Sequence, residues 1–318
     1  MSDTMSDYKE LLEKVFNEVN KVIVGKREVI EKLTIALLAN GHVLIEDYPG
    51  LAKTLMVKVY SHVLDLKYKR IQFTPDLLPS DITGNYIFDM RKNDFVFRPG
   101  PIFANIILAD EINRAPPKTQ SALLEAMQER QITIEGTRFT LEEPFMVVAT
   151  QNPIEFEGTY PLPEAQLDRF LIKTKMGYPT EEEEKEILKR RIERKSDDFH
   201  VEKILSKEDV LRLRKAVEDV YVDDVIIDYI VDICRRTRYL KEVEVGVSPR
   251  ATEFLMKASR ALAFIRGRDY VIPDDVKYIA VDVLSHRLVL KTEAWVKGEE
   301  KENIIKKVLD VVEVPKYK

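Results

Sequence analysis

The sequence is short of several residues that carry specialised chemistry. It has one cysteine, Cys234, and four histidines in 318 residues. A lone cysteine closes no internal disulfide, and His42, His62, His200 and His286 show no metal-ligand spacing, so a structural metal and redox chemistry are both disfavoured. Basic charge is not in excess either. With 50 Lys and Arg against 55 Asp and Glu, the net charge is −5 and the pI about 5.7. Such a chain has no overall basic field to attract a phosphate backbone, so nucleic-acid binding is not expected. No stretch reaches the roughly 18 to 20 apolar residues that a membrane helix needs. The opening MSDTMSDYKE has neither the cationic start nor the apolar segment of a signal peptide. A cytoplasmic protein without membrane insertion is the expectation.

What is present is enough chain for two domains, each able to bury a core. From Asp7 to Ala39 apolar residues recur at helical spacing, with VIVG between two runs, which predicts helix, turn, helix. Short apolar strands are expected at His42 to Ile45, Arg70 to Phe73, Asn105 to Ala109 and Phe145 to Thr150, with a helix from Lys53 to about Leu64 after the first. This alternation predicts a parallel sheet covered by helices, an α/β core. Two hairpin-like insertions interrupt it, near 84–100 and 131–144, with turns at Lys92 to Asp94 and at Glu135 and Gly136. After Tyr178 the character changes. PTEEEEKEILKRR has the chemistry of a helix N-terminus, and apolar stripes at 210–220, 226–239, 249–266 and 273–290 predict a helical second domain. The expected division is 1–178 and 179–318, with Trp295 packed inside the second unit.

Three stretches carry chemistry. EDYPGLAKT, residues 46–54, follows the apolar run HVLI and resembles a phosphate-binding loop, G-x-x-x-x-G-K-[ST], with Asp47 and Ala52 in place of its glycines. In such a loop successive backbone N–H groups and a helix N-terminus face the phosphates. Pro49, Gly50, Leu51, Ala52 and Leu55 would form the cradle, Lys53 would reach the β- and γ-phosphates, and the Thr54 hydroxyl would ligate Mg²⁺. The bland alternative is a surface turn preceding a lysine. IILADE, 106–111, is an apolar strand ending in two carboxylates, as in a Walker B strand: Asp110 to hold Mg²⁺ through water, Glu111 to polarise the attacking water. Its alternative is a solvated acidic turn. PFMVVATQNP then places Gln151 and Asn152 past a third apolar run, where an amide would orient a lytic water.

In order and spacing, EDYPGLAKT, LADEINRAPPKTQSALLEAMQE, ATQNPIEFEGTYPLPEAQLDRF and GVSPRA resemble the MoxR-type AAA+ ATPases, from about Val22 to the C-terminus. The resemblance implies an AAA+ P-loop core with an all-α lid, acting on ATP with Mg²⁺. It implies further roles: Asn152 as sensor 1, Arg169 as an arginine finger serving a neighbouring subunit, Arg250 as sensor 2 on the lid, and Ile23, Val24 and Gly25 flanking the adenine. Lys26 stands where this family commonly has glutamine. The insertions would be the helix-2 and pre-sensor-1 inserts, facing a ring pore or substrate. A homo-hexamer that remodels a protein client, often one with a von Willebrand A domain, is the expectation. The alternatives are a nucleotide-gated scaffold with negligible turnover and a chelatase- or helicase-like motor. Outside the resemblance, Arg169 also has an ordinary reading as a partner of Asp168 or Glu164.

Overall fold

The computed structural model describes residues 4–153, 158–196 and 198–315; IEFE, residues 154–157 of the third quoted motif, lies outside them. Helices α1 (Met5–Asn20) and α2 (Arg27–Leu38) precede strand β1 (Val43–Glu46), and α3 (Lys53–Val63) leads to β2 (Tyr68–Gln72). A short α4 (Pro79–Thr83) opens the hairpin β3 (Gly84–Asp89) and β4 (Asp94–Pro99), and β5 (Ile106–Asp110) follows. After α5 (Pro117–Glu129) come the hairpin β6 (Gln131–Ile134) and β7 (Thr137–Thr140), then β8 (Met146–Gln151), α6 (Glu164–Leu167) and β9 (Ile172–Thr174). The remainder holds α7 (Glu181–Arg194), α8 (Lys207–Glu218), α9 (Asp224–Arg236), β10 (Val243–Val245), α10 (Pro249–Ile265), α11 (Pro273–Leu284), β11 (Val289–Leu290), α12 (Thr292–Val296) and α13 (Lys301–Val311).

The main sheet has the order β2-β5-β8-β1-β9, with every pairing parallel. Its central strands are continuous apolar runs because both faces are covered. In β5, Ile106 and Leu108 pack on one side with α1, α2 and α3, while Ile107 and Ala109 pack on the other with α5 residues Leu123, Leu124 and Met127. Alternation in β5 is thus between two cores, not between core and water. The first of these cores runs without a break into α8, α9, α10 and α11. Sequence periodicity leads to separate cores for the two parts of the chain; the structure joins them, because the amphipathic α1 and α2 offer apolar faces to both.

The four expected strands and the helix at Lys53 are present, shifted by one or two residues. Glu135 and Gly136 both have positive φ, 48° and 81°, which a two-residue hairpin turn of this hand requires. The other hairpin turns one step earlier than expected, over Met90–Asn93, and Asp94 already belongs to β4. The glutamate run forms the first turn of α7, whose Thr180 side chain accepts from the Glu183 N–H while the Glu183 carboxylate accepts from the Thr180 N–H. Three features depart from expectation. β9 was not foreseen, and the stripe at 273–290 breaks at Leu284 into a 3₁₀ turn, Ser285–Arg287, so that β11 can pair with β10. Trp295 is 72% exposed: α12 is one turn long and buries Ala294 instead.

Candidate functional site

The carboxyl ends of β1, β5 and β8 lie side by side, and a parallel sheet binds ligands beyond those ends. There the chain leaves β1 through Asp47–Ala52 and enters α3. Gly50 (φ 83°) and Ala52 (φ 57°) both take the left-handed conformation. The turn expected to form a phosphate cradle is therefore built with a single glycine. Ala52 holds its conformation against the steric preference of an L-residue, at a cost of about 1 kcal/mol.

A cavity of about 490 Å³ opens here, lined by Pro49, Gly50, Leu51, Ala52, Lys53, Thr54, Leu55, Arg70, Asp110, Glu111, Thr150, Gln151 and Asn152. The three motifs thus converge on one space, within the size range of ligand pockets. The half-buried Lys53 has its pKa lowered, first by desolvation, and its Nζ donates to the carbonyls of Asp47 and Tyr48 at 2.9 and 2.8 Å. An ammonium resting on two carbonyl dipoles can be drawn off by an anion entering the cavity.

The acidic pair is held from both sides. Thr150 Oγ1 donates to Asp110 Oδ1 at 2.7 Å and accepts from the Glu111 N–H at 2.9 Å. Asp110 Oδ2 faces Thr54 Oγ1 at 3.5 Å, so one hydroxyl and one carboxylate oxygen converge as a cation site of oxygen donors would require. Glu111 sits at φ 55°, outside the ordinary region for a non-glycine residue, a kind of strain that clusters at functional sites. Its carboxylate accepts from Gln72 Nε2 at 2.7 Å and pairs with Arg114 at 3.3 Å. Arg70, Gln72 and Thr150 were not anticipated. The available signal was the pair of polar residues at the carboxyl end of β2, two apart and thus on one face beside β5.

A second cavity adjoins the first, lined mainly by aliphatic groups: Val22, Ile23, Val24, Leu51, Leu55 and Ile187 among them, with Met176 and Gly177. Its apolar walls suit a heterocyclic base. Gly25 lies between lining residues Val24 and Lys26 but does not line the cavity; its φ is 71°, and a Cβ there would fall 1.9 Å from Glu183 Oε1.

Asp47 is the main correction at this site. Sequence reasoning places its charge beside a triphosphate, as a burden on affinity. In the fold the carboxylate is buried and does not line the cavity, though its charge still acts on Lys53: Oδ2 accepts from the backbone N–H groups of Met176 and Gly177, at 2.7 Å each, and Oδ1 from that of Tyr48 at 2.8 Å. Lys26 Nζ grips the same segment from its carbonyl side, donating to Met176, Gly177 and Tyr178 at 3.1, 3.0 and 3.4 Å. Asp47 and Lys26 thus fasten the strap between β9 and α7.

Arg169 and Arg250 line neither cavity. Arg250, 49% exposed in its side chain, pairs with Asp168 at 3.4 Å. Asp168 also binds the buried Arg287 at 2.8 Å, and Glu164 pairs with Lys301, so both carboxylates proposed as ordinary partners of Arg169 are taken by other cations. Arg287 further donates to the carbonyls of Asp168 and Phe170, fixing the backbone that presents Arg169.

Comparison with known proteins agrees with this geometry. Residues 42–172 match the model of the ATPase family associated with various cellular activities (AAA), and residues 235–308 match an AAA lid domain. Chaperone MoxR1 of Mycobacterium tuberculosis is 46% identical, over 96% of this chain and 82% of that protein. The chain belongs to the MoxR family of AAA+ ATPases. Another family match is Protein MoxR of Methylorubrum extorquens, 27% identical over 90% of each chain. YeaC of Bacillus subtilis, itself uncharacterized, is 50% identical over 97% of this chain and 96% of its own. The crystal structure of an ATPase candidate from Cytophaga hutchinsonii superposes with a TM-score of 0.92 at 44% identity, covering 98% of this chain and 97% of that one. Membership of an ATPase family implies nucleotide binding. Among the described residues no helix is long and apolar enough to cross a membrane, and no cluster of three or more His, Cys, Asp or Glu has metal-binding geometry.

Proposed function

We propose that this MoxR-family protein binds ATP and hydrolyses it to ADP and phosphate, within a homo-oligomeric ring of hexamer type that remodels a protein client. The observation that carries the reading is the convergence of Lys53, Thr54, Asp110, Glu111 and Asn152 on one cavity beside an apolar base pocket. The base would lie against Ile23 and Val24, and the phosphates against the N–H groups of residues 50–55 at the start of α3. Lys53 would exchange its carbonyl partners for phosphate oxygens. Glu111 would take up the proton of the attacking water while Asn152 fixes its position. Thr54 and Asp110 would hold Mg²⁺, which when bound offsets phosphate charge.

Arg169 supports the ring. It lines neither cavity of its own chain, as suits a residue serving a neighbour's site, and such a guanidinium contributes on the order of 10³- to 10⁵-fold in phosphoryl transfer. Arg250, on the first turn of α10, would report lid position. Exposed Ile87, Phe88, Met90 and Phe95 on the β3–β4 hairpin give an apolar surface for a protein client, which we propose to be of the von Willebrand A class. Residues 179–318 would act as the lid and 1–178 as the core.

The test is ATP turnover by the purified chain beside Glu111→Gln, with nucleotide affinity measured in both. Turnover should fall at least 10²-fold in the variant with affinity kept; equal rates would sink the hydrolytic reading. Arg169→Ala should keep ADP affinity and lose turnover. An equimolar mixture of the two variants should regain part of the activity, and none regained despite demonstrated co-assembly would refute the shared site.

A further inference from the structure

The cavity contains a cation of its own at the place reserved for the metal. Asp110 Oδ1 is committed to Thr150, and Oδ2, the oxygen that faces Thr54, accepts from Arg70 Nη2 at 2.7 Å and Nε at 3.0 Å. A buried carboxylate needs a bonded counter-charge; Lys53, though close enough to interact with Asp110 through space, does not bond it and donates instead to the carbonyls of Asp47 and Tyr48. Arg70 does. We propose that Arg70 is a resident cation on the metal carboxylate which a divalent ion must displace, so that this arginine sets how much free Mg²⁺ the site demands. The proposal rests on the nucleotide-site reading above and adds a positioning residue to it.

Two properties make Arg70 suited to that role. It stands on the edge strand β2 with its side chain about half exposed, so a solvated position is open to it at little cost. Two cations on one oxygen repel each other, so Arg70 and a metal with its full charge do not share Oδ2. The Arg70–Asp110 pair therefore makes the metal-competent form of the site a fraction of the whole, and apparent metal affinity falls by that fraction. For a charge-assisted, doubly bonded pair that is half screened, the expected factor is about tenfold.

The test uses the full chain with ADP bound and Mn²⁺ as the probe, free Mn²⁺ being followed by electron paramagnetic resonance. Arg70→Gln, which keeps hydrogen-bonding capacity but removes the charge, should lower half-saturating Mn²⁺ about tenfold, with ADP affinity in EDTA within about twofold of wild type. Lys69→Gln removes a neighbouring exposed charge on the opposite face of the same strand and should leave half-saturation unchanged. Half-saturation in Arg70→Gln equal to or higher than wild type, with ADP bound normally, overturns the proposal and leaves the site reading intact. An equal shift in Lys69→Gln also overturns it, since the effect is then general charge. Loss of ADP affinity in EDTA by Arg70→Gln alone overturns it too, because the arginine would then be a nucleotide ligand. Wild-type chain that binds no ADP with or without metal refutes the site reading and this proposal together.

Discussion

Removing the Asp47 carboxylate gives the sharpest test of how the loop after β1 is built. Asp47→Ala leaves three backbone donors without their acceptor: Met176 and Gly177 across 129 and 130 residues of sequence, and the adjacent Tyr48. Met176 is buried, so its N–H would be orphaned, at about 2–3 kcal/mol for a donor that had bonded a charged group. Gly177 is exposed and Tyr48 borders on solvent, so water can replace the carboxylate there, and together they add about 1 kcal/mol. The sum is a loss of roughly 3–4 kcal/mol, or a fall in melting temperature of roughly 4–6 °C for a chain of this size. Urea unfolding followed by circular dichroism, without nucleotide, measures it as a lower midpoint at unchanged slope. ADP affinity should weaken, because the strap that Asp47 fastens also walls the proposed base pocket. A stability change under about 0.5 kcal/mol, or ADP bound tenfold more tightly by the variant, would refute the structural role and restore the view that the carboxylate repels phosphate.

Two further outcomes follow from buried groups. His42 and His286 are fully buried, with pKa values held well below the usual imidazole value, by desolvation first and then by nearby arginines, Arg130 and Arg287. Below about pH 6.5 the unfolded chain takes up protons that the folded chain refuses, so stability should fall as pH drops, by up to about 1.4 kcal/mol per pH unit for each histidine. Stability measured between pH 7.5 and 5.5 should show this slope, and His286→Gln should flatten it; an unchanged slope would contradict the assignment. Gly25→Ala forces φ 71° on an L-residue and drives a Cβ into Glu183, whose carboxylate caps α7. The expected cost is about 2–3 kcal/mol, with weaker ADP binding. Adding Glu183→Ala should change stability by less than the sum of the two single effects, and strict additivity in a thermal melt would show that the two sites do not meet.

Much of the site was legible because its chemistry is local in sequence. Lys53 and Thr54 start α3 one turn after β1 ends, and Asp110 and Glu111 end an apolar strand, so spacing alone carries them to the sheet's carboxyl edge. The residues that hold those groups in place were not legible. Arg70 and Gln72 meet the acidic pair only because β2 lies beside β5, and Thr150 reaches both acidic residues only because β8 lies on the other side. Strand neighbours are fixed by packing between distant segments, and nothing within β2 announces its partner.

The sequence by itself determined the α/β core, the helical remainder, the family and the motif residues that converge on one cavity. Short continuous apolar runs, period-3.6 apolar patterns and short turn motifs are properties of neighbouring residues, and these specify them. Only the tertiary structure decided what Asp47 does. By its position in the loop it was a negative charge next to phosphate; across 129 residues it became the acceptor for the strap at Met176 and Gly177. Tertiary structure likewise gave Asp168 to Arg287 and Arg250, and left Trp295 facing water on a helix too short to bury it. Whether a remote segment arrives as a partner, as for Asp47 and Asp168, or does not, as for Trp295, settles the free energy of desolvating a charge or an indole.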